Sequence, residues 1–435
     1  MDAKNGRGKA WLIVALLFVF MVINFADKVV IGVAAVPLMR DLGISPSEFG
    51  RVVSSFFLLF SLSAILVGFL ANRVQAKWVL AGLAVVWSLA LLPLAGQVTV
   101  GMLFASRIAL GAGEGPSSPV AVHAVYKWFS NESRLVPATL MNTCGGFAGV
   151  LAGAPALAWV VQHYSWHAAF GALGVIGLIW TAAWLVLGED GPVKDAALAA
   201  EPRAEEWPLI PYAKLLLSRT FVGTACCGFA AYWGTTLQVS WMPAFLSKGL
   251  GYDLQIAAWL VSLTTAISLP VVLLASWWSE RLVKAGVPSR RARGLLVSAC
   301  VLVSGVFLIA MTMLAAGPAE VVCLVVALAL GTCVYAPAFA TVGEIVPTRQ
   351  RGAALAIYSA VITAAGLIAP TVMGYAVEWG GALLQGYLNG FLVSAAVAVF
   401  AGVVGVLAID PEGDRARLLG TRPLVHAQPA AATGA

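Results

Sequence analysis

Charge is what this 435-residue chain has least of: Asp, Glu, Lys and Arg make up 11% of it, while hydrophobic residues make up 60%. With a mean hydropathy of +0.91, a water-soluble globular domain is excluded, since such domains carry about a quarter charged residues. Cysteine is sparse as well. All six (Cys144, Cys226, Cys227, Cys300, Cys323, Cys333) lie in apolar stretches without metal-ligand spacing, so neither a disulfide framework nor a bound metal is expected. No nucleophile stands with a base, which leaves little for an enzyme to work with. Acids are scarcer than bases and the net charge is +6, but the bases sit in scattered short loops instead of on one soluble face. Nucleic acid is therefore not an expected partner.

What is abundant is apolar sequence long enough to cross a bilayer. Twelve stretches stand out in a window of about 19 residues: roughly 11–37, 49–71, 78–97, 100–126, 136–162, 167–188, 220–246, 255–279, 294–316, 319–343, 352–377 and 384–409. Lys4, Arg7 and Lys9 precede the first in the manner of a signal peptide, yet the run is too long and lacks a small-residue cleavage site, so a retained helix is expected. An even number of spans puts both ends on one side. That side collects Arg73, Lys77, Lys127, Arg134, Arg281, Lys284, Arg290, Arg291, Arg293, Arg349, Arg351, Arg415 and Arg417, against Arg40, Arg51 and Lys248 opposite. The bias predicts cytoplasmic termini in a bacterial-type inner membrane.

The chain divides into similar halves. Residues 189–214 are rich in acids and prolines and read as a cytoplasmic linker between a six-helix bundle at 1–188 and another at 215–410, with a cytoplasmic tail at 411–435. Gly68-Phe-Leu-Ala-Asn-Arg73 near the end of span two has an echo in Ser276-Trp-Trp-Ser-Glu-Arg281 near the end of span eight. Arg134 and Ala154-Pro155 are echoed by Arg351 and Ala369-Pro370. A parallel repeat of six helices suits a two-bundle transporter that rocks around a site at mid-membrane. The glycines of spans four, five and eleven either let helices approach closely or supply flexibility for the rocking, and Gly115, Pro116 and Pro119 are expected to kink span four beyond Glu114.

Against this apolar background four ionisable residues stand inside the spans: Asp27 and Lys28 in span one, Arg107 and Glu114 in span four. Each costs several kcal/mol unpaired in hydrocarbon, so together they suggest a buried polar site. Arg107 and Glu114 lie two turns apart on one face, and Asn24 stands one turn before Lys28. The four could form two structural ion pairs. Alternatively a base binds an anion while an acid takes the proton, since burial favours a neutral carboxyl and a nearby cation an ionised one. His123, beyond Glu114, is either a proton relay or a bonded interfacial histidine. His163, Trp166 and His167 read as interfacial anchors.

These motifs carry a resemblance over nearly the whole length to the major facilitator superfamily. Gly68-Phe-Leu-Ala-Asn-Arg-Val-Gln-Ala-Lys77 resembles that family's signature loop between helices two and three, and Ser279-Glu-Arg-Leu282 its weaker copy. Asn24-Phe-Ala-Asp-Lys-Val-Val-Ile31 and Arg107-Ile-Ala-Leu-Gly-Ala-Gly-Glu-Gly-Pro116 resemble the anion:cation symporters, as do Lys127-Trp-Phe129, Arg134 and Trp166-His-Ala-Ala-Phe170. The resemblance implies an all-α fold of twelve transmembrane helices in two bundles, and proton-driven uptake of a small organic carboxylate without a cofactor. It implies proton coupling at Asp27 and Glu114, anion binding at Lys28 and Arg107, and a gating loop of Asn72, Arg73 and Lys77 with Glu280 and Arg281. Asn72 stands where the signature has an acid, which removes a salt bridge from that gate. Lys28 stands where the family has Arg, losing bidentate geometry. Phe25, Phe60 and Ser359 replace the Tyr, Tyr and Asn usual in sugar-acid carriers, so a less hydroxylated acid is expected, short-chain or aromatic.

Further wall candidates are Asn24 in the first half and Tyr232, Tyr335, Phe339 and Tyr358 in the second. The second half has no clear intramembrane charge. The expected partners are the anion, the proton and membrane lipid, with the chain a monomer. Two other functions remain open: proton-driven drug efflux, which an aromatic cavity with acids could support, and organic-phosphate exchange, which span seven disfavours because it offers no base from Phe221 to Phe245.

Overall fold

The computed structural model describes residues 3–71, 73–129, 133–192 and 209–419, and every element in them is helical. Ten helical stretches among them are apolar across a full membrane thickness. Two further crossings complete twelve. Span four consists of Val100–Glu114 and Ser117–Tyr126, and span seven is Arg219–Ser240, diluted by Gly, Thr and Ser. Both owe their weaker apolar signal to composition: buried charge in one, small and hydroxylated side chains in the other.

Span four breaks at Gly115 and Pro116, as expected, but Pro119 does not add to the break. It lies in the first turn of Ser117–Tyr126, where a missing N–H leaves no bond unmade. The second half breaks at the matching place, between Pro318–Thr332 and Tyr335–Glu344 in span ten. Span one ends at Val33, short of residue 37, and the chain continues as a separate helix, Ala35–Leu42.

Glycines set how closely the first-half helices sit. A β-carbon on Gly111 would overlap the carbonyl oxygen of Phe56, and one on Gly115 that of Phe60. Spans two and four therefore meet backbone to backbone over about one turn, as small residues allow in membranes. Span one lies in a matching groove of span five, where Gly149 faces the Val22 carbonyl and Gly146 the Phe25 ring. These contacts fix the rotation of the two helices that carry charge.

The bundles meet mainly on the face opposite the termini. Spans two (Pro46–Ala71) and eleven (Thr348–Trp379) are joined by Ser47 N–H to Glu378 at 3.1 Å, Ser54 to Thr371 at 2.8 Å and Ser61 to Thr363 at 3.0 Å. Spans five and eight are joined by Gln162 to Asp253 at 3.0 Å and by the Ser262 hydroxyl to the Leu151 carbonyl at 2.9 Å. Ser61 is about 22 Å from the start of span two at about 1.5 Å per residue, so this seam reaches mid-membrane.

The start of the expected linker belongs to the first bundle. Asp190 accepts the Ala76 and Lys77 N–H groups at the start of span three and pairs with Lys127 at 3.4 Å. Further on, Ile210 exchanges two hydrogen bonds with the Gln350 side chain at 2.9 and 2.7 Å. Residues 193–208 of the linker and 420–435 of the tail lie outside the described residues.

Candidate functional site

Spans one and four bring two of the four predicted intramembrane charges, Lys28 and Glu114, into direct contact. Lys28 Nζ donates to Glu114 Oε2 at 2.5 Å and to Asn24 Oδ1 at 2.5 Å, with the Asn24 carbonyl at 3.3 Å. The Asn24 and Lys28 positions are one helical turn apart, so a single side-chain direction serves both contacts. Arg107 is 98% buried against the Phe56 ring, its Cζ 5.1 Å from the ring centroid. Asp27 is fully buried on span one.

The cluster is not a closed set of ion pairs. Both Asp27 oxygens, Arg107 Nε and Nη1, Glu114 Oε1 and Asn24 Nδ2 are buried without a hydrogen-bond partner. Buried polar groups are ordinarily bonded, and a purely structural network would be expected to satisfy its members. Here six atoms from four residues remain available within one pocket of charge. Only Lys28 reaches toward open space: its side chain is 18% exposed, against 0% for its partner Glu114.

Aromatic side chains surround that ammonium. Nζ lies 4.7 Å from the Phe25 centroid and 6.0 Å from those of Phe56 and Phe60. Phe56 was not among the residues singled out from the sequence, although its spacing of one turn from Phe60 was visible. Phe57 was missed too, and it meets Tyr232 of the second bundle edge-on at 5.9 Å. Tyr335 shares a 2.8 Å hydrogen bond with Thr235, another residue not anticipated.

Other expectations fare differently. Tyr358 lies in the packed core of the second bundle, fully buried, its ring 5.0 Å from Phe339 and 6.2 Å from Phe221, and its hydroxyl donates to the Thr224 carbonyl at 3.4 Å. That corrects its placement on the cavity wall, because span eleven turns this position toward span seven. Phe339 is half-buried against the same ring, and Ser359 gives its carbonyl to Thr363 at 2.9 Å. Trp166 is likewise no lipid-interface anchor: it is buried, with its indole N–H donating to Asp41 at 3.0 Å. That bond, ahead of the nearby Arg40, holds the Asp41 carboxyl below its ordinary range.

In the loop expected to gate, Asn72 lies outside the described residues, Arg73 is exposed, and the Lys77 ammonium lies 5.7 Å from the Trp78 ring. In the copy, Glu280 lies 3.9 Å from Lys284 on the surface, and Arg281 stacks over Trp277 at 5.3 Å. No cluster with metal-binding composition occurs among the described residues.

Comparison with known proteins places this geometry in context. A plant protein, the chloroplastic sodium-dependent phosphate transport protein 1 of Arabidopsis thaliana, is 30% identical over 258 residues, 57% of this chain, and the chain spans half of that protein's length. The D-galactonate transporter of Escherichia coli is 25% identical over 438 residues, covering 93% of this chain and 96% of its own. In three dimensions the fold matches the crystal structure of a bacterial homolog to the human lysosomal transporter Spinster, inward-facing and occupied, with a TM-score of 0.74 at 17% identity over 91% of this chain and 96% of that one. The sequence profile of the Major Facilitator Superfamily matches residues 16–332 and 289–431. The chain thus belongs to the major facilitator superfamily, whose members are membrane transporters and not enzymes.

Proposed function

We propose that the chain is a secondary transporter that takes up a small organic carboxylate together with a proton. The observation that carries this reading is Lys28, an accessible cation held between Glu114 and Asn24 beside unpartnered buried charge. A carboxylate arriving at Lys28 competes with Glu114 for the same ammonium. Glu114, buried and deprived of its cation, then favours the neutral form and takes a proton. Substrate and proton thereby enter together with no net change of charge in the pocket, and the exchange reverses on release.

Arg107 holds the field positive behind Phe56, and Asp27 offers a second buried carboxyl without a hydrogen-bond partner. The bundles rock about the site, with Asn72, Arg73, Lys77, Glu280 and Arg281 as the gate on the side of the termini, which the basic bias makes cytoplasmic. The driving force is the proton gradient, with no cofactor, and the unit is a monomer in lipid of a bacterial-type inner membrane. The galactonate carrier and the plant phosphate carrier both handle anions by name, which supports an anionic cargo.

Phosphate exchange is disfavoured by the second bundle, whose groups near the site are the hydroxyls of Tyr335 and Thr235 and not bases. Efflux of a lipophilic cation is opposed by Lys28 and Arg107. Uptake of a panel of labelled carboxylates into proteoliposomes, corrected for protein-free liposomes, distinguishes these. Accumulation driven by an inward proton gradient is expected; outward movement of a lipophilic cation, with no acid carried, would reject the proposal.

A further inference from the structure

The ammonium that would meet the carboxylate sits at one end of a continuous aromatic surface. Phe25 and Phe60 lie beside Lys28, and from Phe60 ring contacts run through the buried Phe56 and through Phe57 at 4.9 Å to 5.9 Å. Phe57 then carries the surface across the bundle interface to Tyr232, edge to face at 85°. Two of the nearby hydroxyls are already paired: Tyr335 with Thr235, and Ser61 with Thr363. Away from the buried polar atoms of the charge cluster, the phenyl rings of this surface cannot replace water around a polar solute.

We infer that the substrate is a monocarboxylate with an aromatic body, and that polyhydroxylated sugar acids are discriminated against. This rests on the anion-uptake reading above. One cation faces the open space, because Arg107 is sealed behind the Phe56 ring while Lys28 is partly exposed; one carboxylate is therefore matched. Phenyl rings neither donate nor accept, so each sugar hydroxyl seated against them loses its water partners and costs about tenfold in affinity. A flat ring has the opposite balance. Its edge meets the negative faces of Phe25 and Phe60 and its own face meets ring edges, contacts beyond simple burial that an aliphatic chain of equal size does not make.

The test is equilibrium binding of labelled benzoate to the purified full-length protein, with unlabelled hexanoate, phthalate and D-galactonate as competitors. Benzoate should compete at about three- to tenfold lower concentration than hexanoate, and at about a hundredfold lower than galactonate, the cost of seating two of its hydroxyls against the rings while the others stay in water. Phthalate, with a second carboxylate to place, should also be weaker. Phe60→Leu keeps an apolar wall and removes a ring, so it should erase the preference for benzoate over hexanoate while the melting temperature stays near that of the parent. Equal or tighter binding of galactonate or phthalate, equal binding of hexanoate, or an unchanged benzoate preference in a folded Phe60→Leu protein would overturn the inference and leave anion uptake standing. Absence of binding by every acid, with tetraphenylphosphonium bound instead, would overturn the anion reading itself.

Discussion

Glu114→Gln separates substrate binding from proton coupling, because the amide keeps an oxygen for Lys28 but cannot gain or lose a proton near neutral pH. In the parent protein Lys28 Nζ bonds Glu114 Oε2 at 2.5 Å, and the carboxylate is completely buried. Removing one member of a buried pair outright costs about 3–5 kcal/mol. The amide oxygen and Asn24 Oδ1 retain part of the bonding and the ammonium is partly solvated, so a loss of about 1–2 kcal/mol is expected, enough to lower the melting temperature by a few degrees in a chain of this size. Transport changes more sharply. One pH unit across the membrane supplies about 1.4 kcal/mol per proton, which supports about tenfold accumulation of a co-transported anion. Glu114→Gln should bring that ratio to about one while exchange of labelled for unlabelled substrate at equal pH persists. Because the amide competes less well for Lys28 than a carboxylate, the anion should also bind more tightly. Proteoliposomes assayed once with a gradient and once preloaded for counterflow measure both properties. Gradient-driven accumulation equal to the parent's would refute the role of Glu114.

Further outcomes follow from other contacts. Arg107→Ala leaves Asp27 and Glu114 without their rear cation and should abolish substrate-induced thermal stabilisation, readable by melting with and without ligand. Gly111→Leu must displace the Phe56 backbone and should cost about 1–3 kcal/mol or more, whereas Gly82→Ala, with open space at that position, should be neutral; thermal melts distinguish the two. Ser54→Cys with Thr371→Cys replaces a 2.8 Å hydroxyl pair across the bundle seam, so oxidation should halt uptake and a reductant restore it. Asp253 accepts the Gln255 N–H and then the Gln162 side chain, which together hold its carboxyl below the ordinary 3.8. A depressed folded value means its contribution is present above that ordinary value and is lost as pH falls through the lower folded one. Melts of Asp253→Asn and the parent should accordingly differ at neutral pH and converge in acid.

Much of this architecture is readable from hydropathy alone, because a span in lipid must satisfy its own backbone and so must be a long apolar helix. The break beyond Glu114 was legible in Gly115-Pro116, and the repeat in its prolines and arginines. What the sequence could not settle is rotation. Asp27 and Lys28 are neighbours, and which one turns to span four depends on how Val22 and Phe25 seat against Gly149 and Gly146. Tyr358 shows the same difficulty: it is fully buried while Ser359 beside it is half-buried, so a one-residue change of face decides whether a side chain joins the core. Trp166 was misread because a tryptophan at a span end usually marks the lipid interface, whereas the helix Ala35–Leu42 covers this one through Asp41. Phe56 and Phe57 carried no polar signal and became meaningful only once Lys28 was placed among them.

The most direct test of the exchange at Lys28 is proton uptake on binding. Purified protein in weakly buffered detergent solution, mixed with a saturating carboxylate near neutral pH, should take up about one proton per anion bound, and Glu114→Gln should bind the anion with no uptake. Saturable anion binding by the parent protein without any pH change would contradict the account.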